Sequence, residues 1–355
     1  MKIKNLTYII FILFTSLTFQ SCLKDTISSV LNFEIPDTIQ LLSYLEEQGN
    51  YINSPDMPSL VNVDDVQAHL GSYLILDLRT SDKYIAGHIP GAVNLTNGTL
   101  LNYINNTQNK SYSKIVIVSE SGQASAYYTS LLRLYGFRNV YSLDFGMAQW
   151  NNAFASVWLN NTKNVPLIMS ALNNVIYLND TLTSLPQITF SNAGADIQSK
   201  VKQRISEMIT AGFKSGGSYV ETSLPELLFN FEDISKFYIA CYGKDSLYIA
   251  DRLGSTGSGH FKDAVLYRPG TSLLSTTALQ TLPSNKRIVV YSASGIVSAF
   301  VTAYLRLLGY DAKSLKFGIS NIAYSQIYSS RSALSPEVFL SADIRNYAYT
   351  TGANP

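Results

Sequence analysis

Short apolar runs rich in β-branched and aromatic residues recur along the chain: Tyr73–Leu78, Ile115–Val118 and Val140–Leu143, then Phe237–Cys241 and Ile288–Tyr291. Runs of this length bounded by turn residues predict buried strands. Between them, Ala126–Leu134 and Ala299–Leu307 carry apolar residues at the three-to-four spacing of an amphipathic helix, and Gly136 and Gly309 supply the stops. Strands alternating with helices predict an α/β unit on a largely parallel sheet, built twice. A further helix precedes each unit: Thr38–Gln48 with Asp37 as N-cap, and Asp196–Thr210 before Gly212. Between the units, Asn160–Asn164 and Ser191–Ala195 are polar and loop-like, with the weakly strand-like Asn174–Leu178 between them. After Tyr324 no motif is readable.

The doubling is an internal repeat. Ser119, Gly122, Ser125, Arg133 and Gly136 reappear as Ser292, Gly295, Ser298, Arg306 and Gly309, all at a spacing of 173 positions. Gly87-His88 and Phe145-Gly146 reappear as Gly259-His260 and Phe317-Gly318 at a spacing of 172. Upstream, two registers compete for the second copy. One aligns Leu74–Arg79 with Leu247–Arg252. The other, which we favour, aligns Leu74–Asp77 with Tyr238–Cys241 and Asp82–Ala86 with Asp245–Ala250, leaving Asp251–Ser258 as an insertion.

The amino terminus differs from this body. Lys2 and Lys4 precede the apolar run Leu6–Phe19, which is too short for a spanning helix and predicts a secretory signal. It ends in Phe19-Gln20-Ser21-Cys22, which resembles a bacterial lipobox although Phe19 replaces the usual Leu. That resemblance implies cleavage before Cys22 and acylation of its thiol. The alternative is ordinary cleavage that leaves a buried core thiol. No later run reaches about 18 apolar residues, so the expectation is a soluble body anchored by lipid outside the cytoplasm.

At 355 residues the chain has room for about two domains. With 46% hydrophobic and 14% charged residues it is too apolar for disorder. A net charge of +1 without a basic block excludes a nucleic-acid footprint. Cys22 and Cys241 are the only cysteines, so no disulfide framework exists if Cys22 is acylated. Three scattered histidines and no cysteine pair give no metal signature, and no cofactor is expected.

Asp77-Leu-Arg79, Gly87-His-Ile-Pro-Gly-Ala92, the strand and Gly-containing loop at Lys114–Ser125, Leu134-Tyr-Gly-Phe137 and Phe145-Gly146 together resemble a rhodanese domain in order and spacing. The second copy is similar but lacks the Ile-Pro-Gly stretch. The resemblance implies two rhodanese-like α/β domains, at 56–158 and 216–325. Around them lie a signal peptide (1–21), a tether with a helix (22–55), a linker with a helix (159–215) and a tail (326–355). It also implies a lipoprotein of the cell envelope, on the outer membrane of a Bacteroidetes-type bacterium.

In that family the loop after the central strand begins with a cysteine that carries a persulfide, and backbone N–H groups at the helix N-terminus stabilise its thiolate. The matching positions here are Ser119 and Ser292, so no catalytic residue is expected. The arginine usual further along the loop is replaced by Ala124 and Val297. A serine hydrolase would need an adjacent base, yet His88 and His260 lie in the Gly-His motif, where the resemblance implies a structural role. Gly-x-Ser-x-Gly is absent. Asp77 beside Arg79, and Asp251 beside Arg252, are read as structural pairs.

What the loops retain is an anion cradle, formed by Ser119, Ser121, Gly122 and Ser125, and by Ser292, Ala293, Ser294, Gly295, Ile296, Val297 and Ser298. Glu120 is expected to compete for the first cradle, whereas Ala293 leaves the second free for sulfate, phosphate or a partner's carboxylate. The opposing expectation is that both loops are closed internally through Ser125 and Ser298. The functional expectation is a membrane-anchored binding or interaction module without sulfurtransferase activity. Its partners would be membrane lipid at Cys22 and an envelope protein or small anion. Competing readings are a thiosulfate-type sulfurtransferase that uses Cys241 or a partner thiol, and a structural envelope component.

Overall fold

The apolar runs form the middle of two sheets whose strands all run parallel. The computed structural model describes residues 35–107, 112–170, 172–214, 220–223, 237–248, 259–334 and 337–353. Cys22, the leader and the expected insertion at Asp251–Ser258 lie outside them. The first sheet contains β1 (Leu60–Val61), β2 (Leu74–Asp77), β3 (Val93–Asn94), β4 (Ile115–Val118) and β5 (Val140–Leu143), in the order β1-β5-β4-β2-β3. The second contains β6 (Glu221–Thr222), β7 (Phe237–Tyr242), β8 (Val265–Tyr267), β9 (Arg287–Tyr291) and β10 (Ala312–Leu315), in the order β6-β10-β9-β7-β8. The two orders are the same. Every residue of β4 is buried, as expected for a parallel sheet covered on both faces.

Strand pairing separates the two registers left open by the sequence. Leu74 and Asp77 lie opposite Ile115 and Val118, while Tyr238 and Cys241 lie opposite Ile288 and Tyr291. Cys241 therefore holds the place of Asp77. The histidines agree: His88 stacks on Tyr84 and His260 on Tyr248, each at 3.7 Å between ring centres.

Among the described residues five longer helices surround the sheets: α1 (Asp37–Glu47), α2 (Asn97–Thr107), α3 (Gln123–Tyr135), α4 (Ile197–Ala211) and α5 (Ile296–Leu307). Asp196 caps α4 by accepting the Ser199 N–H at 3.0 Å. Asp37 does not cap a helix starting at Thr38; it is the first residue of α1, and its carboxylate accepts the Phe190 N–H at 3.0 Å.

Helix α5 is apolar nearly all round, and its burial follows from that. It packs along α3, where the Ser130 hydroxyl donates to the Phe300 carbonyl at 2.8 Å. One apolar core runs through both sheets, with Leu131 and Leu132 of α3 beside Phe300 and Ala303 of α5. Replacing Phe300 with Ala would remove a fully buried ring at a cost of about 3–5 kcal/mol. Residues Asp37–Pro355 accordingly form one compact unit.

The polar connection and the tail turn out to be matching straps. After the first half the chain runs along the second: Lys163 N–H donates to Ser320, Val165 N–H to Ile322, and Asn173 forms a bridge with His260. After the second half it returns along the first: Arg345 N–H donates to Gln149, Tyr347 N–H to Trp150, and Thr350 bridges to His88. Asn174–Leu178 is no strand; its β-pairing is an isolated bridge from Tyr177 to Val265. Among the described residues no helix is long and apolar enough to cross a membrane.

Candidate functional site

At the end of β4 the chain turns through Ser119–Gly122 into α3, and at the end of β9 it turns through Ser292–Gly295 into α5. Both turns need a left-handed residue before the helix, supplied by Gly122 (φ 87°) and Gly295 (φ 80°). The Ser119 hydroxyl oxygen accepts the N–H groups of Gly122 at 3.1 Å and Ser125 at 3.2 Å. The Ser292 hydroxyl accepts those of Gly295 and Ser298 at the same two distances. The loops are thus closed from within, but by their first serine. Ser125 and Ser298 instead donate to the carbonyls of Gly122 and Gly295, at 3.0 and 3.1 Å, and their hydroxyls meet those of Ser142 and Ser314 at 2.8 Å.

A second turn clamps each loop. Phe145 and Phe317 adopt positive φ, and Gly146 and Gly318 follow them. A Cβ on Gly146 would collide with the Ser119 carbonyl oxygen, and one on Gly318 with that of Ser292. Met147 N–H donates to the former at 3.0 Å and Ile319 N–H to the latter at 3.2 Å. The loops also meet across the molecule, since Gln123 Oε1 accepts the Phe317 N–H at 2.8 Å. Trp158 lies between them: its indole N–H donates to Ser121 at 3.1 Å, and its ring contacts Phe145, Phe317 and Phe339.

What covers the loops differs from expectation. Glu120 does not compete for the first cradle; it pairs with Lys83, and both side chains are half exposed. The second cradle is not free. Ala293 N–H and the Ser292 hydroxyl bond the carboxyl of Glu337, from the returning tail, and Ile296 N–H donates to the Ser294 hydroxyl at 3.2 Å. Burial pushes Glu337 up to about 7, against the opposing pull of those two bonds and of Lys244. Ile296 and Val297 face the core, so they offer the loop only backbone. Ser121 accepts from the Gln123 amide at 3.1 Å.

The other singled-out residues that the structure describes are held in internal contacts. Arg79 forks onto both Asp77 oxygens, the shortest bond at 2.6 Å, and also reaches the Gly87 carbonyl at 2.7 Å. His88 Nδ1 contacts the Tyr84 carbonyl, and His260 bonds the carbonyls of Tyr248 and Val175 through its two nitrogens. Cys241 is fully buried, and burial pushes its thiol up to about 12.

Two residues were missed from the sequence. Glu337 sits in a segment without a motif. Asp144 precedes Phe145-Gly146, at the position where the second copy has Lys316, and that charge inversion within the repeat could have marked it. Lys316 pairs with Glu221 at 3.3 Å. Asp144 is buried, and burial pushes it up to about 8, the Phe145 N–H opposing and the charges of Glu337 and Asp343 adding.

The rhodanese-like domain family matches residues 62–153. The thiosulfate sulfurtransferase GlpE of Pseudoalteromonas translucida (strain TAC 125) is 35% identical over 83 residues, 23% of this chain and 76% of that protein. The thiosulfate sulfurtransferase GlpE of Shewanella oneidensis is 37% identical over 84 residues, 24% of this chain and 81% of that protein. Among solved structures, a thiosulfate sulfurtransferase from Pseudomonas aeruginosa aligns with a TM-score of 0.28 at 16% identity. That alignment covers 90% of this chain, which spans only 49% of the Pseudomonas chain. With the sulfurtransferase relatives matched over three quarters of their length and the parallel sheet in place, this chain belongs to the rhodanese-like family.

Proposed function

We propose that this chain is a sulfur-inert member of the family: a pair of rhodanese-like domains, tethered to the cell envelope through acylated Cys22, that serves as a binding module. One observation carries the reading. The oxygens of Ser119 and Ser292 lie within their loops' own N–H donors, where sulfur chemistry would require a thiolate. In sulfur transfer from thiosulfate, a thiolate attacks the outer sulfur, an S–S bond forms and sulfite leaves with the electron pair. A hydroxyl oxygen cannot make that bond, and its proton is far harder to remove than a thiol's. Cys241 is a poor substitute, because a fully buried thiol held in its protonated form is neither reachable nor nucleophilic.

The test is the intact mass of the purified chain after incubation with thiosulfate. An unchanged mass is expected. Gain of one sulfur atom, removed by cyanide and absent in Cys241→Ser, would overturn the reading in favour of a sulfurtransferase that uses that thiol. The tether is tested separately by fractionation: Cys22→Ala should leave the membrane fraction, and if it stays as firmly bound as the wild type the anchor lies elsewhere.

A further inference from the structure

The strap that crosses the second half is unlike its counterpart over the first. Among the described residues, Leu167, Val175, Ile176, Leu178 and Leu182 are large aliphatic side chains between 59% and 81% exposed. Scattered exposed aliphatics are ordinary, but five within sixteen residues are not. The tail strap instead exposes Arg345, Asn346, Tyr349, Thr350 and Thr351, as suits a surface facing water. Contacts of the apolar stretch alternate along the chain. Tyr177 bridges to Val265, the Asn179 amide donates to the Tyr238 hydroxyl and the Thr281 carbonyl, and the Thr183 hydroxyl donates to the Gln280 and Leu282 carbonyls. These odd positions hold the strap to the body, and Ile176, Leu178 and Leu182 stand away from it.

Charge and position narrow what covers them. From 164 to 195 the only charged residue is Asp180. Around the strap, Lys262 and Asp263 follow the His260 bridge with opposite signs, and Arg268 at the end of β8 is paired with Asp245 at 2.8 Å. No strongly charged partner is selected. Protein interfaces draw their binding energy from Trp, Tyr and Arg more than from Leu and Val, whereas a lipid surface accepts aliphatic side chains without matching their shape. The strap also leads to the root of the tether. Thr38, in the first turn of α1, donates its hydroxyl to the Pro186 carbonyl, and the Asp37 carboxylate accepts the Phe190 N–H. Pro186 is four residues past Leu182, at most about 14 Å away along the chain. From Asp37 back to Cys22 the chain can span no more than about 50 Å, so an acylated Cys22 keeps this edge of the molecule within reach of the bilayer.

We propose that the 175–182 stretch docks on the lipid surface, with Ile176, Leu178 and Leu182 at the boundary between headgroups and acyl chains. This rests on the tether at Cys22. Asp180, exposed between Leu178 and Leu182, keeps its carboxylate among the headgroups, so insertion is shallow. With no basic face on the strap, docking needs no anionic lipid. The strap gives the chain a second attachment to lipid and turns its second half, rather than its first, towards the membrane.

The experiment is hydroxyl-radical footprinting, read residue by residue by mass spectrometry, on phosphatidylcholine vesicles. Two samples are compared with the lipid-free chain 22–355: the native acylated chain, and the chain 22–355 coupled through the Cys22 thiol to a maleimide lipid, Cys241 being buried. Oxidation of Ile176, Leu178 and Leu182 should fall about threefold or more on vesicles, with Tyr349 on the tail strap unchanged. The double variant Leu178→Asp, Leu182→Asp alters only exposed side chains and should fold; it should restore oxidation of Ile176 while the chain stays on the vesicles. If the native chain fails to float with vesicles the tether reading fails, and the coupled chain, held at Cys22 by its linker, still decides the docking. Unchanged oxidation of the strap in the coupled chain, or equal protection of Tyr349, would overturn the proposal. So would protection that arises without lipid as the protein is concentrated, since a second copy would then cover the strap.

Discussion

The two loops have the same backbone and different occupants. Each is closed by its own serine oxygen and clamped by a Phe-Gly turn, bond for bond. Over the first lies a neutral indole, with Glu120 turned out to Lys83. Over the second the carboxyl of Glu337 has come in, from a tail that shows no motif. The difference teaches that the sheet and the Phe-Gly turn fix the loop, whatever covers it. Serine fills both cradles in the same way, yet only the second has drawn in a carboxyl group.

The shared part of this comparison should break most heavily. Gly146→Ala and Gly318→Ala each put a Cβ against a carbonyl oxygen at positive φ, so both should lose about 3 kcal/mol or more in urea unfolding. A large loss in one and not the other would mean that the clamps are not equivalent. Next come the serines. Ser292→Ala strands two loop N–H groups and removes a donor from Glu337, an expected cost of about 2–3 kcal/mol; Ser119→Ala strands two N–H groups at a slightly more open site and should cost about 1–2 kcal/mol. Equal losses would remove the role given to Glu337.

The buried carboxyls sharpen the contrast through pH. Asp144 and Glu337 hold their protons more tightly folded than unfolded, with values raised to about 8 and about 7. Their contribution is fully present below about pH 4 and is lost as pH rises through 7 to 8. Asp144→Asn and Glu337→Gln should therefore gain on the wild type by about 1 kcal/mol or more at pH 8.5 relative to pH 5.5, read as unfolding midpoints. A difference from wild type that does not vary with pH would contradict the burial argument. The smallest effect belongs to the first loop: Glu120→Gln breaks a half-exposed pair with Lys83 and should change stability by no more than about 0.5 kcal/mol.

Legibility in the sequence followed burial and distance along the chain. The central strands β2, β4, β5, β7 and β9 were readable because strands buried on both faces carry continuous apolar runs. The edge strands β1, β3 and β6 are two residues long, too short for any pattern, and β10 is interrupted by a buried Lys313. Helix α2 is rich in Asn and Thr, which favour loops in isolation. Ser119 and Ser292 were found because a repeat preserves local spacing. Glu337 was not, because its partner Ser292 is far away in the chain and a single carboxylate in a loop carries no periodic signal.

The claim that the chain is sulfur-inert, with neither the loop serines nor Cys241 taking up sulfur, is tested most directly by the rate of thiocyanate formation from thiosulfate and cyanide by the purified wild-type chain. The account predicts no turnover above the uncatalysed background, and the same result for Cys241→Ser. Turnover by the wild type that disappears in Cys241→Ser would contradict it, placing a working thiol at the end of β7.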